Sequence, residues 1–115
     1  MDANQLPGMR EMDEATDNLS RARYNYDKAS DHGYPVREAA EMATAEKAYT
    51  AAKALHPVAA AYLLARAWTQ SSNYLKRAAG RRAAQRILAG EDHAVVMREM
   101  EAEWSEAASK AVYND

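Results

Sequence analysis

The residues able to do chemistry in this chain are few and scattered. Cysteine is absent, which removes disulfides, thiolate nucleophiles and Cys-based zinc sites together. The three histidines, His32, His56 and His93, lie far apart, each beside an expected loop, and a solvated or capping role is expected of each. No Glu-x-x-His pair occurs of the kind that helical bundles use for di-iron sites, and there is no H-E-x-x-H or phosphate-cradling glycine motif. Ser71, Ser72 and Ser105 carry no surrounding signature such as a nucleophile elbow, which also requires a strand. Glu99 with Glu103, and Asp13 with Asp17, fall four residues apart on single helix faces. A solvated acidic face explains such pairs more simply than acid/base catalysis. The expectation is a protein that is not an enzyme, with no catalytic or metal-binding residue and no cofactor.

What chemistry remains is electrostatic. The net charge of −2 hides strong segregation: residues 56–90 carry Arg66, Lys76, Arg77, Arg81, Arg82 and Arg86 and no acidic side chain, while the stretches on either side are acidic. Three readings of this block follow. The simplest is internal neutralisation, with a basic helix folding back antiparallel onto the acidic last helix; exposed pairs of this sort orient helices more than they stabilise them. The second is a helix-turn-helix across 64–86. Leu64-Ala65, then Thr69-Gln70-Ser71 and Leu75, echo its spacing, and Asn73, Lys76, Arg77, Arg81 and Arg82 are residue types that contact phosphates and base edges. Thr69 stands where that pattern has Gly, and Gln70 fills a normally apolar slot. The third is a face for an anionic partner or a small phosphorylated ligand, formed by Arg66, Tyr74, Lys76, Arg77, Arg81, Arg82 and Arg86, in which Tyr74 stacks while Arg77 and Arg81 supply charge.

The methionines and tryptophans are expected first of all to pack. Met12, Met42, Met97, Met100 and Trp104 recur at helical spacing, and Met-rich faces also serve adaptable protein contacts. Met97, Met100 and Trp104 therefore form the candidate protein interface, with Trp104 as its anchor.

These residues need helices to hold them. From Met9 a heptad stripe runs through Met12, Ala15, Leu19, Ala22, Tyr26 and Ala29, predicting an amphipathic helix that stops near Ser30. Residues 31–35, with Gly33 and Pro35, break it. A second helix is predicted over 35–55, its stripe Met42, Ala45, Tyr49 and Ala52 flanked by Val36, Ala48 and Leu55. The short connection makes the two helices antiparallel neighbours. His56-Pro57 ends or kinks that helix. Residues 58–68 are apolar on nearly every face except at Arg66, which predicts a buried central helix. A polar turn follows over 69–73, then a basic helix over 73–89, a stop at Gly90, and a last helix over 92–112. Glu91 and Asp92 place carboxylates at the start of that helix, where its dipole favours them, and its stripe is Met97, Met100, Trp104, Ala107 and Ala111. No segment alternates with period two.

The fold class is therefore all-α: a small bundle of four to five helices, built as a long N-terminal antiparallel hairpin, a central apolar helix, a basic helix and an acidic C-terminal helix. A flexible leader over 1–8 and one domain over 9–115 are expected. The 115 residues suffice for one core, but with no Phe and two Trp that core is lined by alanines, each burying little area. Limited bulk of this kind favours self-association. No basic, apolar start resembling a signal peptide is present, and the longest apolar run, 58–65, is far shorter than the roughly 20 residues that span a bilayer. Membrane attachment is not expected, and the lack of Cys fits a reducing cytoplasm.

Across the second half, Tyr62-Leu-Leu-Ala, Trp68, Ser72-Asn73-Tyr74, Lys76, Ala79-Gly80, Ile87 through Asp92 and Met100-Glu-Ala-Glu-Trp104 resemble small helical proteins of phage and prophage accessory regions. The resemblance implies a non-enzymatic protein of the bacterial host cytoplasm that binds and blocks a host or defence factor, or sequesters a ligand. The function expected is protein–protein contact, with itself as a homo-oligomer or with another protein. Duplex DNA through the basic segment is the alternative, and a small phosphorylated ligand a further one.

Overall fold

The computed structural model describes the backbone of residues 1–113 and the side chains of residues 1–110. It is all-helical: five α-helices, 82% helix, and no strand among the described residues. The helices are α1 (Met9–Ser30), α2 (Val36–Leu55), α3 (Pro57–Trp68), α4 (Tyr74–Leu88) and α5 (His93–Tyr113). Each predicted boundary lies within a residue or two of the observed one. The predicted stripe residue Ala111 lies outside the described side chains. Where one domain over 9–115 was expected, contacts divide the chain into two compact units, Gly8–His56 and a second made of Met1–Pro7 with the chain from Pro57 onward.

The first unit is the hairpin of α1 and α2, which pack together. The predicted stripe of α1 is its least exposed side: Met12 and Leu19 are buried, as is Met9, and Ala15, Ala22, Tyr26 and Ala29 are half-buried. Met42, Ala45, Tyr49 and Ala52 are half-buried on α2, but no residue of α2 is buried. The predicted flanking residues do not join them: Val36 is 78% and Leu55 75% exposed, and Ala48 is exposed too. A helix with a single neighbour can shelter only the face that meets it.

The two ends of the hairpin meet at Gly8 and His56. Gly8 caps α1 with φ +78°, in the left-handed region, and a Cβ there would collide with the His56 imidazole. His56 is thus half-buried, packing against backbone, and of the solvated or capping roles expected it takes the capping one, at the C-terminal end of α2. Its N–H donates to the Ala52 carbonyl at 2.9 Å. Pro57 disfavours helical geometry in the residue before it, and His56 accordingly adopts φ −129°, ψ 63°. The sequence left a kink or a break open, and the outcome is a break one residue wide.

The second unit packs α3, α4 and α5 on one another. Its core is mostly small: Ala59, Ala61, Ala65, Ala79, Ala83, Ile87, Val96 and Met100 are buried. Leu6 joins the buried set at 5% exposure, and a 3-10 turn over Ala3–Gln5 precedes it. The Asp2 N–H donates to Gln5 Oε1 at 2.8 Å. The leader is therefore structured in part. The apolar α3 is not sheathed on all sides as expected: Leu64 is 45% exposed and Ala67 is exposed. Gly80 is buried against the end of α3, where a Cβ would stand 2.6 Å from Trp68 Cβ and 2.7 Å from the Ala65 carbonyl oxygen. The glycine lets the two backbones approach closely.

Candidate functional site

The basic helix is positioned by its cap. Asn73 Oδ1 accepts hydrogen bonds from the N–H groups of Leu75 (2.9 Å) and Lys76 (3.2 Å), satisfying donors that a helix start leaves unpaired. Across the Gly90 turn, Asp92 Oδ1 does the same for Ala94 (2.9 Å) and Val95 (3.2 Å) at the start of α5. The two caps set where α4 and α5 begin, and so which side chains can meet.

The seven residues expected to form one anionic-partner face are split by this geometry. Arg86 lies on the α5 side: its Nε and Nη2 both donate to Glu91 Oε1 at 2.9 Å, and Nη1 donates to Glu99 Oε2 at 2.5 Å. Hydrogen bonds to these two carboxylates raise its already high pKa further. Arg82 pairs with Glu103 one turn away. These pairs frame a crevice of about 60 Å³ floored by Ala79, Ala83, Val96 and Met100. For Arg82 and Arg86, the internal neutralisation expected of antiparallel basic and acidic helices is what the structure contains.

The remaining basic residues have different surroundings. Arg77 Nη1 donates to the carbonyls of Ser71 (3.0 Å) and Ser72 (3.2 Å), fastening the α3–α4 turn. The Arg66 guanidinium lies 5.9 Å from the Tyr62 ring centroid. Lys76 reaches the tryptophans: its Nζ is 4.8 Å from the Trp68 centroid and 5.9 Å from that of Trp104. Tyr74, at 68% exposure, and Arg81 point to solvent from the outer side of α4.

The candidate protein interface divides in the same way. Met100 is buried at 2% exposure and belongs to the core. Met97 is half-buried. Trp104 is half-buried edge-on to Trp68, with ring centroids 6.5 Å apart and planes at 76°, an arrangement that the ring quadrupoles favour. Its nearest aromatic partner is thus in its own chain.

In the hairpin unit, an open depression of about 340 Å³ lies where α1 ends and α2 begins, lined by Lys28, His32, Arg37, Glu38 and Glu41 among others. Arg37 is already paired there with Glu38 at 3.3 Å and Glu41 at 3.8 Å. Among the described residues, no group of three or more His, Asp or Glu side chains is placed to hold a metal ion, and no helix is long and apolar enough to cross a membrane.

Two features escaped the sequence reading. The Trp68–Lys76–Trp104 cluster joins residues from three helices that no local spacing connects. Gly80 could have been found, since a glycine inside a helical pattern often marks a close backbone approach. Comparison with protein-family profiles, with curated proteins and with solved structures finds no match to this chain.

Proposed function

We propose that this chain is a non-enzymatic helical binding protein that acts through protein–protein contact and associates with itself. The observation carrying the proposal is the outer side of α2. Val36, Ala40, Ala43, Ala51 and Ala54 are all exposed, and helical periodicity puts them on the side opposite the half-buried Met42, Ala45 and Tyr49. Lys47 is the one charge at the centre of that surface. A two-helix unit has little apolar area to bury by itself, so a further helix laid on this face adds what the hairpin lacks. The resemblance to phage accessory proteins extends the reading to capture of a host or defence factor in the bacterial cytoplasm.

Sedimentation velocity across about a hundred-fold range of concentration tests the self-association, because mass action makes it concentration-dependent. The wild type should gain mass with concentration. The double variant Ala43→Glu/Ala51→Glu should stay monomeric with unchanged helicity. A wild type that is monomeric throughout removes the self-association. A tagged chain that retains no protein from nuclease-treated bacterial lysate removes the contact with another protein.

A second reading, duplex DNA binding, is favoured by the helix–turn–helix order of α3 and α4 together with the outward Tyr74 and Arg81. The engagement of Arg82 and Arg86 with carboxylates weighs against it. It expects binding that falls steeply with salt and is lost in Arg81→Glu; no retention of any duplex at low salt removes it.

A further inference from the structure

Trp68 ends α3, Lys76 lies in the first turn of α4, and Trp104 is in the middle of α5. The two indoles stand nearly at right angles, at 76°, and form two walls of a notch. The Lys76 ammonium occupies it, within 6 Å of both ring centroids, the range over which a cation is held by an aromatic face. Among the described residues no carboxylate is within ion-pair distance of Lys76. Among the described residues, the two rings are therefore the close electrostatic partners of this charge. A primary ammonium is strongly hydrated and gives up water to enter such a notch, whereas an alkylated ammonium has far less hydration to lose.

We propose that the Trp68–Trp104 notch is a binding site for quaternary ammonium groups, which Lys76 fills in the free protein and a ligand takes over by displacing it. Both tryptophans are half-buried and keep part of their surface in solvent, so a ligand has access. Lys76 hangs on a flexible stem that can swing to solvent. This site is independent of the α2 surface, which lies in the other unit, and its test does not depend on self-association.

Displacement lowers apparent affinity by the fraction of molecules with the notch open, so removing Lys76 strengthens binding. The two walls are the chain's only tryptophans, and intrinsic fluorescence reads the site directly. The full-length chain is titrated with tetramethylammonium chloride against sodium chloride of equal ionic strength. Wild type should show a saturable change, Lys76→Ala the same change at about ten-fold lower concentration, and Lys76→Ala/Trp104→Leu none. Should Lys76→Ala lose helicity, Lys76→Met retains the bulk of the stem and takes its place. Parallel titrations with choline, a trimethyllysine peptide and its unmodified counterpart distinguish a free ligand from a modified protein. A wild type that responds to tetramethylammonium no more than to sodium overturns the proposal. So does a variant at Lys76 that binds no more tightly than wild type.

Discussion

Replacing Gly80 by alanine should destabilise the α3–α5 unit, although alanine is the better helix former. The gain in helix propensity is about 1 kcal/mol. Against it, the new methyl would stand 2.6 Å from Trp68 Cβ and 2.7 Å from the Ala65 carbonyl oxygen, distances real Cβ atoms essentially never show. One obstacle is backbone and the other a Cβ fixed to it, so no rotamer change relieves the overlap. The helices must separate instead; overpacking typically costs about 1–3 kcal/mol, and two overlaps with backbone-fixed atoms put this site in the upper part of that range, at about 2–3 kcal/mol. The net loss is about 1–2 kcal/mol. With an m-value of about 1 kcal/mol/M for a unit this small, the urea midpoint should fall by about 1–2 M. Tryptophan fluorescence is the assay to use, because Trp68 and Trp104 both belong to this unit and the signal excludes the hairpin. A Gly80→Ala midpoint equal to or above wild type would refute the close approach of α3 and α4.

Other perturbations follow from the same geometry. Asn73→Ala removes the acceptor for two N–H groups of α4 and should cost about 1 kcal/mol, with Asn73→Asp near wild type, both read by urea denaturation. Met12 is fully buried in the hairpin unit, so Met12→Ala should cost about 2–5 kcal/mol and lower the circular-dichroism transition, while Val36→Ala, at a largely exposed site, should change little. The two carboxylates raise the Arg86 pKa above its unfolded value, so its contribution is fully present below the unfolded pKa and is lost only as pH rises through the still higher folded one. Thermal melts of wild type and Arg86→Gln should therefore differ by the same amount from neutral pH to about pH 10. A gap that closes on moderate alkalinisation would mean that another group holds this corner.

The helices were legible in the sequence because each is bounded by residues that act locally. Gly8, Asn73 and Asp92 sit at helix starts, and Pro57 acts on His56, so the boundaries depended on neighbours in the chain. The inner stripes of α1 and α2 were legible for the same reason, through heptad spacing. Exposure was not. Leu64, Val36 and Leu55 read as core from their type, yet whether an apolar face is covered depends on how many helices reach it. The candidate site was legible only in outline. Opposite charges on α4 and α5 anticipated the engagement of Arg82 and Arg86, whereas Tyr74 and Arg81 came out on one side of α4 and Arg77 at the turn. The meeting of Lys76 with Trp104, 28 positions away, rests on tertiary packing that no periodicity encodes.

The alanine-lined core of the second unit also bears on how the molecule responds to temperature. Heat capacity changes on unfolding in proportion to the apolar surface that becomes wetted. Side chains as small as Ala59, Ala65, Ala79 and Ala83, all buried, wet little new apolar area when they separate. The unit should therefore unfold with a heat-capacity increment below the usual value of about 12–15 cal/mol/K per residue. Its stability curve is then shallow and broad, giving up little on cooling and falling gradually, rather than sharply, as the temperature climbs.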